Sequence, residues 1–127
     1  MGKEYLIDTN AVIDYLDNKL PDTAAELIDS IEAKIAVITR MELLAWPGAS
    51  KNQTLILNKF VDAAAVFNLE EPVILKAIEI RRATKTKLPD AIIAATALVH
   101  KLILITRNTK DFEKVSSLEI MDPYELK

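Results

Sequence analysis

Tyr5-Leu6-Ile7-Asp8-Thr9-Asn10 is the stretch on which the fold turns. It is an apolar run of strand length that stops abruptly at Asp8, with Thr9 and Asn10 standing before a new apolar pattern begins. In an open α/β sheet, ligand sites lie outside the carboxyl ends of the strands, which makes a carboxylate at Asp8 a functional candidate. Asp8 and Asn10 are equally the residue types that cap the next helix by accepting from its free N–H groups. Both readings stand at this point.

Working outward, the same arrangement recurs. Lys34-Ile35-Ala36-Val37-Ile38-Thr39 is a β-rich run that also ends in a polar residue, and it leads into a helix start, Arg40-Met41-Glu42-Leu43-Leu44-Ala45, with Glu42 in its first turn. Leu102-Ile103-Leu104-Ile105-Thr106 is a third such run, followed by Arg107-Asn108-Thr109-Lys110-Asp111-Phe112. Between these runs, helical spacing predicts helices over 11–16, from Asp22 or Thr23 through 24–31, over 52–65 and over 72–84. Trp46-Pro47-Gly48-Ala49-Ser50 is the clearest loop, and short strands are expected at 66–69 and 118–121. Strands alternating with helices predict an α/β fold, a central parallel sheet flanked by helices on both faces.

The segment 87–99 is the most unusual. Past Asp90 it is apolar on nearly all sides, and Ala91, Ala94, Ala95 and Ala97 permit close packing, which predicts a central buried helix. Asp90 lies in its first turn after Pro89, where the helix dipole stabilises a carboxylate. Arg81 and Arg82, at the end of the preceding helix, and His100, at the end of this one, suit the same dipole from the other pole.

Composition narrows the chemistry. With 127 residues, half of them hydrophobic, a single domain spanning 1–127 is expected. No run is apolar enough to cross a bilayer, and Met1-Gly2-Lys3-Glu4 leads straight into a strand, so no membrane association and a cytoplasmic location are expected. Cysteine is absent and His100 is the only histidine, so a metal here must be held by oxygen. A net charge of −3 argues against a broad basic surface for nucleic acid. It leaves a nuclease open, because a cation-binding acidic site brings negative charge of its own.

The acids gain meaning as a set. Asp8, Glu42 and the Asn108/Asp111 turn each follow a predicted strand end, and Asp90 opens the helix that must be central, so the fold can gather all four at one sheet edge. Clustered carboxylates without histidine or cysteine are what hard cations prefer, and like-charge repulsion would make such a cluster costly without one. Mg²⁺ or Mn²⁺ is therefore expected.

Four motifs in order, Ile7-Asp8-Thr9-Asn10, Thr39-Arg40-Met41-Glu42-Leu43-Leu44, Leu88-Pro89-Asp90-Ala91-Ile92-Ile93-Ala94-Ala95-Thr96-Ala97 and Thr106-Arg107-Asn108-Thr109-Lys110-Asp111-Phe112, make the chain resemble PIN domains, and specifically VapC-type toxins. The resemblance covers essentially the whole chain. It implies a Mg²⁺-dependent endoribonuclease, the toxin of a toxin–antitoxin pair, forming a homodimer and bound by a small antitoxin protein, with DNA reached only through that antitoxin. Apolar surface on the first helices and near Trp46 is in keeping with a dimer, although Trp46 equally suits the core. Carried over, Asp8, Glu42 and Asp90 are metal-binding acids, Asp111 supplies a fourth carboxylate, and Asn10, Thr39, Thr106 and Asn108 are polar neighbours. In the mechanism this implies, metal-bound water attacks phosphorus in line. Arg40, Arg81, Arg82, Lys85, Lys87 and Arg107 are candidates for RNA phosphates.

Other readings compete with this one. A haloacid-type phosphatase needs an Asp-x-Asp pair after the first strand, and Asn10 occupies the second position here. A DNA nuclease of related fold would need more chain to clamp its substrate. From a different class, a catalytically inactive PIN-like protein-binding module would use the acids only as helix caps, and Mg²⁺ would not stabilise it.

Overall fold

A computed structural model describes residues 2–126. β1 (Tyr5–Ile7) leads into α1 (Thr9–Leu16) and α2 (Asp22–Ser30); β2 (Lys34–Ala36) leads into α3 (Val37–Leu44) and α4 (Lys51–Ala63). β3 (Ala65–Phe67) is followed by α5 (Glu71–Ala83) and α6 (Leu88–His100). β4 (Ile103–Ile105), α7 (Thr109–Phe112), β5 (Ile120–Met121) and a 3₁₀ turn (Pro123–Glu125) complete the described chain. Every strand pairing is parallel, with β4 between β1 and β5 and with β2 beside β3. β1 lies against β2, which brings the two strand groups together as one central layer.

Alternation along the strands builds two cores. Leu6, Ala36 and Leu104 point toward α5 and α6, whereas Ile7, Ile35 and Ile105 point toward α1, α2 and α4. A strand covered on both faces has no polar face, which is why these runs are continuously apolar. α6 packs along α5 and touches β2 and β4. Ala91, Ile93, Ala94, Ala95, Thr96 and Ala97 are buried, and the small side chains let its backbone approach its neighbours closely.

The expected strand over 34–39 ends at Ala36, and Val37, Ile38 and Thr39 open α3 instead. β-Branched residues favour strands only where a partner exists, and β3 pairs no further than Ala36 with Phe67. Helical spacing then buries Thr39 and Leu43 on one face. Glu42 therefore sits in the second turn of this helix, not the first. Residues 109–112, expected as a turn, form the short helix α7. The remaining elements shift by one or two residues at their ends. His100 closes α6 half-buried, its ring 4.4 Å from that of Phe67, and Trp46 is 45% exposed and so lies outside the core.

α4 is held at its start by a reciprocal cap. Ser50 Oγ accepts from Gln53 N at 3.1 Å, and Gln53 Oε1 accepts from Ser50 N at 2.9 Å. Ser50→Ala is expected to lower stability by about 1 kcal/mol in urea unfolding, with no effect on any activity.

Candidate active site

Strand register places the first two site residues. Ile7 is paired with Ile105, so β1 and β4 end level, and Asp8 N donates to Ile105 O at 2.9 Å. Asp8 and Thr106 are thereby adjacent beyond the sheet edge, where Thr106 Oγ1 donates to Asp8 Oδ2 at 2.8 Å. Asp8 is also the N-cap of α1, its Oδ1 accepting from Thr9 N at 2.8 Å. Capping and site geometry are thus features of one carboxylate. Asn10 Nδ2 donates to Asp8 Oδ2 at 2.9 Å, while its Oδ1 accepts from Arg107 N at 3.0 Å, and Asn108 N donates to Thr106 Oγ1 at 3.1 Å. Asn10, Thr106 and Asn108 therefore fix the orientation of Asp8.

The third strand end contributes through α3. Thr9 Oγ1 donates to Glu42 Oε1 at 2.6 Å and lies 3.1 Å from Thr39 Oγ1, so a hydroxyl on α1 holds the otherwise exposed Glu42 toward Asp8. Asp90 enters from the first turn of α6. Asp8, Glu42, Asp90 and Asn108 line one open pocket of about 260 Å³ together with Asp14, Trp46 and Arg107.

Electrostatics shows that the acids share a field. Burial is the main influence raising the Asp8 carboxyl above its ordinary value, opposed by the hydrogen bonds from Thr106 and Thr9 and reinforced by the charge of Glu42. Asp90 is pushed up to about 6, first by desolvation, then by the charges of Asp8, Asp111 and Glu42, with Lys87 pulling the other way. Asp111 thus acts on Asp90 through space, although it is exposed on α7 and does not line the pocket.

Among the described residues, no three Asp, Glu or His side chains stand close enough together to hold an ion jointly as placed. The donor set nevertheless fits Mg²⁺ or Mn²⁺. Such an ion keeps several waters and takes only one or two carboxylates, with phosphate oxygens completing its shell. Asp8 and Asp90 could bind it directly, with Glu42 reaching it through water. The mutual repulsion at Asp90 is the cost that a cation would relieve.

The basic candidates separate. Arg107 lines the pocket, its Nη1 2.9 Å from Asp14 Oδ2, and Lys87 is near enough to influence Asp90. Arg40 and Lys85 are exposed outside the pocket lining. Arg81 and Arg82 border a separate apolar groove between α5 and α6, where Arg81 Nε donates to Thr86 O at 3.3 Å. Sequence reasoning passed over Thr9, Asp14 and Tyr124. Asp14 did leave a signal, since it is a charged residue within an apolar helical run, four positions after Asn10 and therefore on the same face.

The family model for the PIN domain matches residues 5–118. Among solved structures, the chain is similar to a toxin–antitoxin complex from Klebsiella pneumoniae, at 34% identity over 96% of this chain and 99% of that one, with a TM-score of 0.76. It is similar to VapBC-1 from nontypeable Haemophilus influenzae, at 25% identity over 93% and 96% of the two chains, TM-score 0.79. A DNA-bound VapBC from Salmonella typhimurium shares the fold, at 24% identity over 95% and 98%, TM-score 0.80. Comparison with curated proteins returns no significant match.

Proposed function

The chain belongs to the PIN domain family, with VapC-type relatives, and from that premise we propose that it is a Mg²⁺- or Mn²⁺-dependent endoribonuclease, the toxin of a toxin–antitoxin pair. The observation that carries this reading is the convergence of Asp8, Glu42 and Asp90 on one open pocket, where burial first and the charges of its acidic neighbours second push the Asp90 carboxyl up. Acids serving only as helix caps would have no reason to meet there, which disfavours the inactive binding module.

Asp8 and Asp90 are the proposed metal ligands. A bound divalent ion supplies Lewis acidity toward the phosphodiester and a water of lowered pKa. The chain's own residues set the geometry. Thr106 and Asn10 occupy Asp8 Oδ2 and Thr9 N occupies Oδ1, so the carboxylate cannot rotate. Glu42, steadied by Thr9, is placed to orient a water beside the phosphate or to accept its proton. Asp111 contributes charge from outside the lining.

The partner surface is supported by an apolar groove beside the acids, lined by Ile13, Leu16, Trp46, Ile56 and Leu57. Trp46 belongs to both the groove and the acidic pocket, so an antitoxin lying in the groove would also cover the site. The exposed Leu75, Ile78 and Leu88 on α5 and α6 support a homodimer.

The test is cleavage of a total RNA pool by purified, antitoxin-free protein in Mg²⁺, in Mn²⁺ and in EDTA, with the Asp90→Asn protein prepared in parallel to reveal contaminating nuclease. Cutting is expected only in the natural chain with metal. Cutting that persists in EDTA would overturn the metal dependence, and a folded protein that cuts nothing would return the choice to the binding module.

A further inference from the structure

One buried charge at the site is not used by this chemistry. Asp14, on α1, is 4% exposed, yet its Oδ2 accepts from two remote groups, Arg107 Nη1 at 2.9 Å and Tyr124 Oη at 2.8 Å. Arg107 belongs to the segment after β4, and its backbone is already tied to Asn10. Its side chain is half exposed and is the one cation among residues that line the acidic pocket. A guanidinium carries five N–H donors. Asp14 takes one of them, Tyr124 lies close enough to feel the same group, and the half-exposed guanidinium lines the pocket with donors to spare. The hydrogen bond to Asp14 also raises the Tyr124 hydroxyl above its ordinary value.

A polyanion entering a pocket lined by four acids meets repulsion that fixed positive charge must offset. An unrestrained arginine would lose considerable side-chain entropy on gripping a phosphate, and a preset one loses less. We propose that Asp14 is a positioning residue which, with Tyr124, presents the Arg107 guanidinium to a backbone phosphate of single-stranded RNA flanking the bond to be cut. This rests on the ribonuclease reading and adds to it a substrate-phosphate subsite with its own support. The buried carboxylate explains why an arginine, and not a lysine, stands there: the planar fork can keep one edge on Asp14 and turn another to the phosphate.

The experiment compares the natural chain with Arg107→Ala, Arg107→Lys, Asp14→Asn and Tyr124→Phe. It reads kcat and KM for a short single-stranded oligoribonucleotide in Mg²⁺, and anisotropy binding of the same labelled oligonucleotide in Ca²⁺, over a range of salt concentrations. Arg107→Ala should raise KM and Kd about tenfold, as expected for losing a charged hydrogen bond. It should also flatten the slope of log Kd against log salt by about 0.7, one phosphate contact on a single strand. Asp14→Asn should reproduce part of both changes with kcat nearly unaltered, Tyr124→Phe a smaller part, and adding Asp14→Asn to Arg107→Ala should change nothing further. A merely structural role for Asp14 would lower Tm while leaving the salt slope of the folded protein intact, and that result overturns the proposal. A natural slope in Arg107→Ala overturns it too. If the natural chain cuts RNA and these variants match it, only the subsite falls; if the natural chain neither binds nor cuts RNA, the ribonuclease reading falls first.

Discussion

Asp90→Asn is expected to abolish RNA cleavage, on the order of 10³-fold or more, while raising the Tm of the metal-free protein at pH 7.5. The loss follows from removing a carboxylate proposed to hold the ion, an interaction worth several kcal/mol to the transition state. The gain follows from relieving a buried charge and, second, its repulsion by neighbouring acids. Asp90 titrates at about 6 in the folded chain, pushed up by burial and by Asp8, Asp111 and Glu42, against about 3.9 for an ordinary aspartate. A raised carboxyl pKa means that ionisation opposes folding: the penalty is full above pH 6 and vanishes as pH falls below the unfolded value. The Asn variant should therefore be the more stable protein in EDTA at pH 7.5, and the difference should close as pH approaches 4. Mg²⁺ should raise the Tm of the natural chain more than that of the variant, and the rise should grow from about pH 5 to 7 as the proton stops competing. Differential scanning fluorimetry across pH, with and without Mg²⁺, checks both. A variant cutting at the natural rate removes Asp90 from the chemistry, and a variant less stable in EDTA removes the repulsion argument.

Asp8→Ala should lose activity to the same degree but move stability the opposite way. Both oxygens of Asp8 are engaged, with Thr9 N on one and with Asn10 and Thr106 on the other, and the side chain is 4% exposed. Truncation leaves these donors facing a small cavity and removes the cap of α1, a loss of about 1–3 kcal/mol even after the relief of desolvation. For a domain of this size that lowers Tm by several degrees. Two inactive variants with opposite Tm shifts in EDTA would separate the acid held by the scaffold from the acid held against its neighbours. If both variants shift in the same direction, that distinction is wrong.

Much of the fold was readable because its signals are local. Tyr5–Ile7 and Ile103–Ile105 are strands because their continuous apolar runs suit a layer covered on both faces, and 88–100 is a central helix because it is apolar all round. Asp8, Asp90 and Thr106 could be placed because each directly follows a strand or opens a helix. Thr39 is expected among the polar neighbours, but its place inside α3 and not at a strand end could not be read, because the strand preference of Val37 and Ile38 gave way to a partner strand that ends at Phe67. Nor could the separation of Arg81 and Arg82 from the acids be read, since it depends on the side of α5 that faces α6.

The sequence by itself determined the parallel α/β arrangement, the oxygen-only donor set and the residues able to form the site. Local periodicity and residue chemistry carry that information along the chain. Only the tertiary structure decided the pairing of Asp14 with Arg107 and Tyr124, the grip of Thr9 on Glu42, the position of Asp111 outside the pocket and the burial and neighbouring charge that raise Asp90. Those are contacts and fields between residues far apart in sequence, fixed by strand register and helix packing, and no spacing along one segment encodes them.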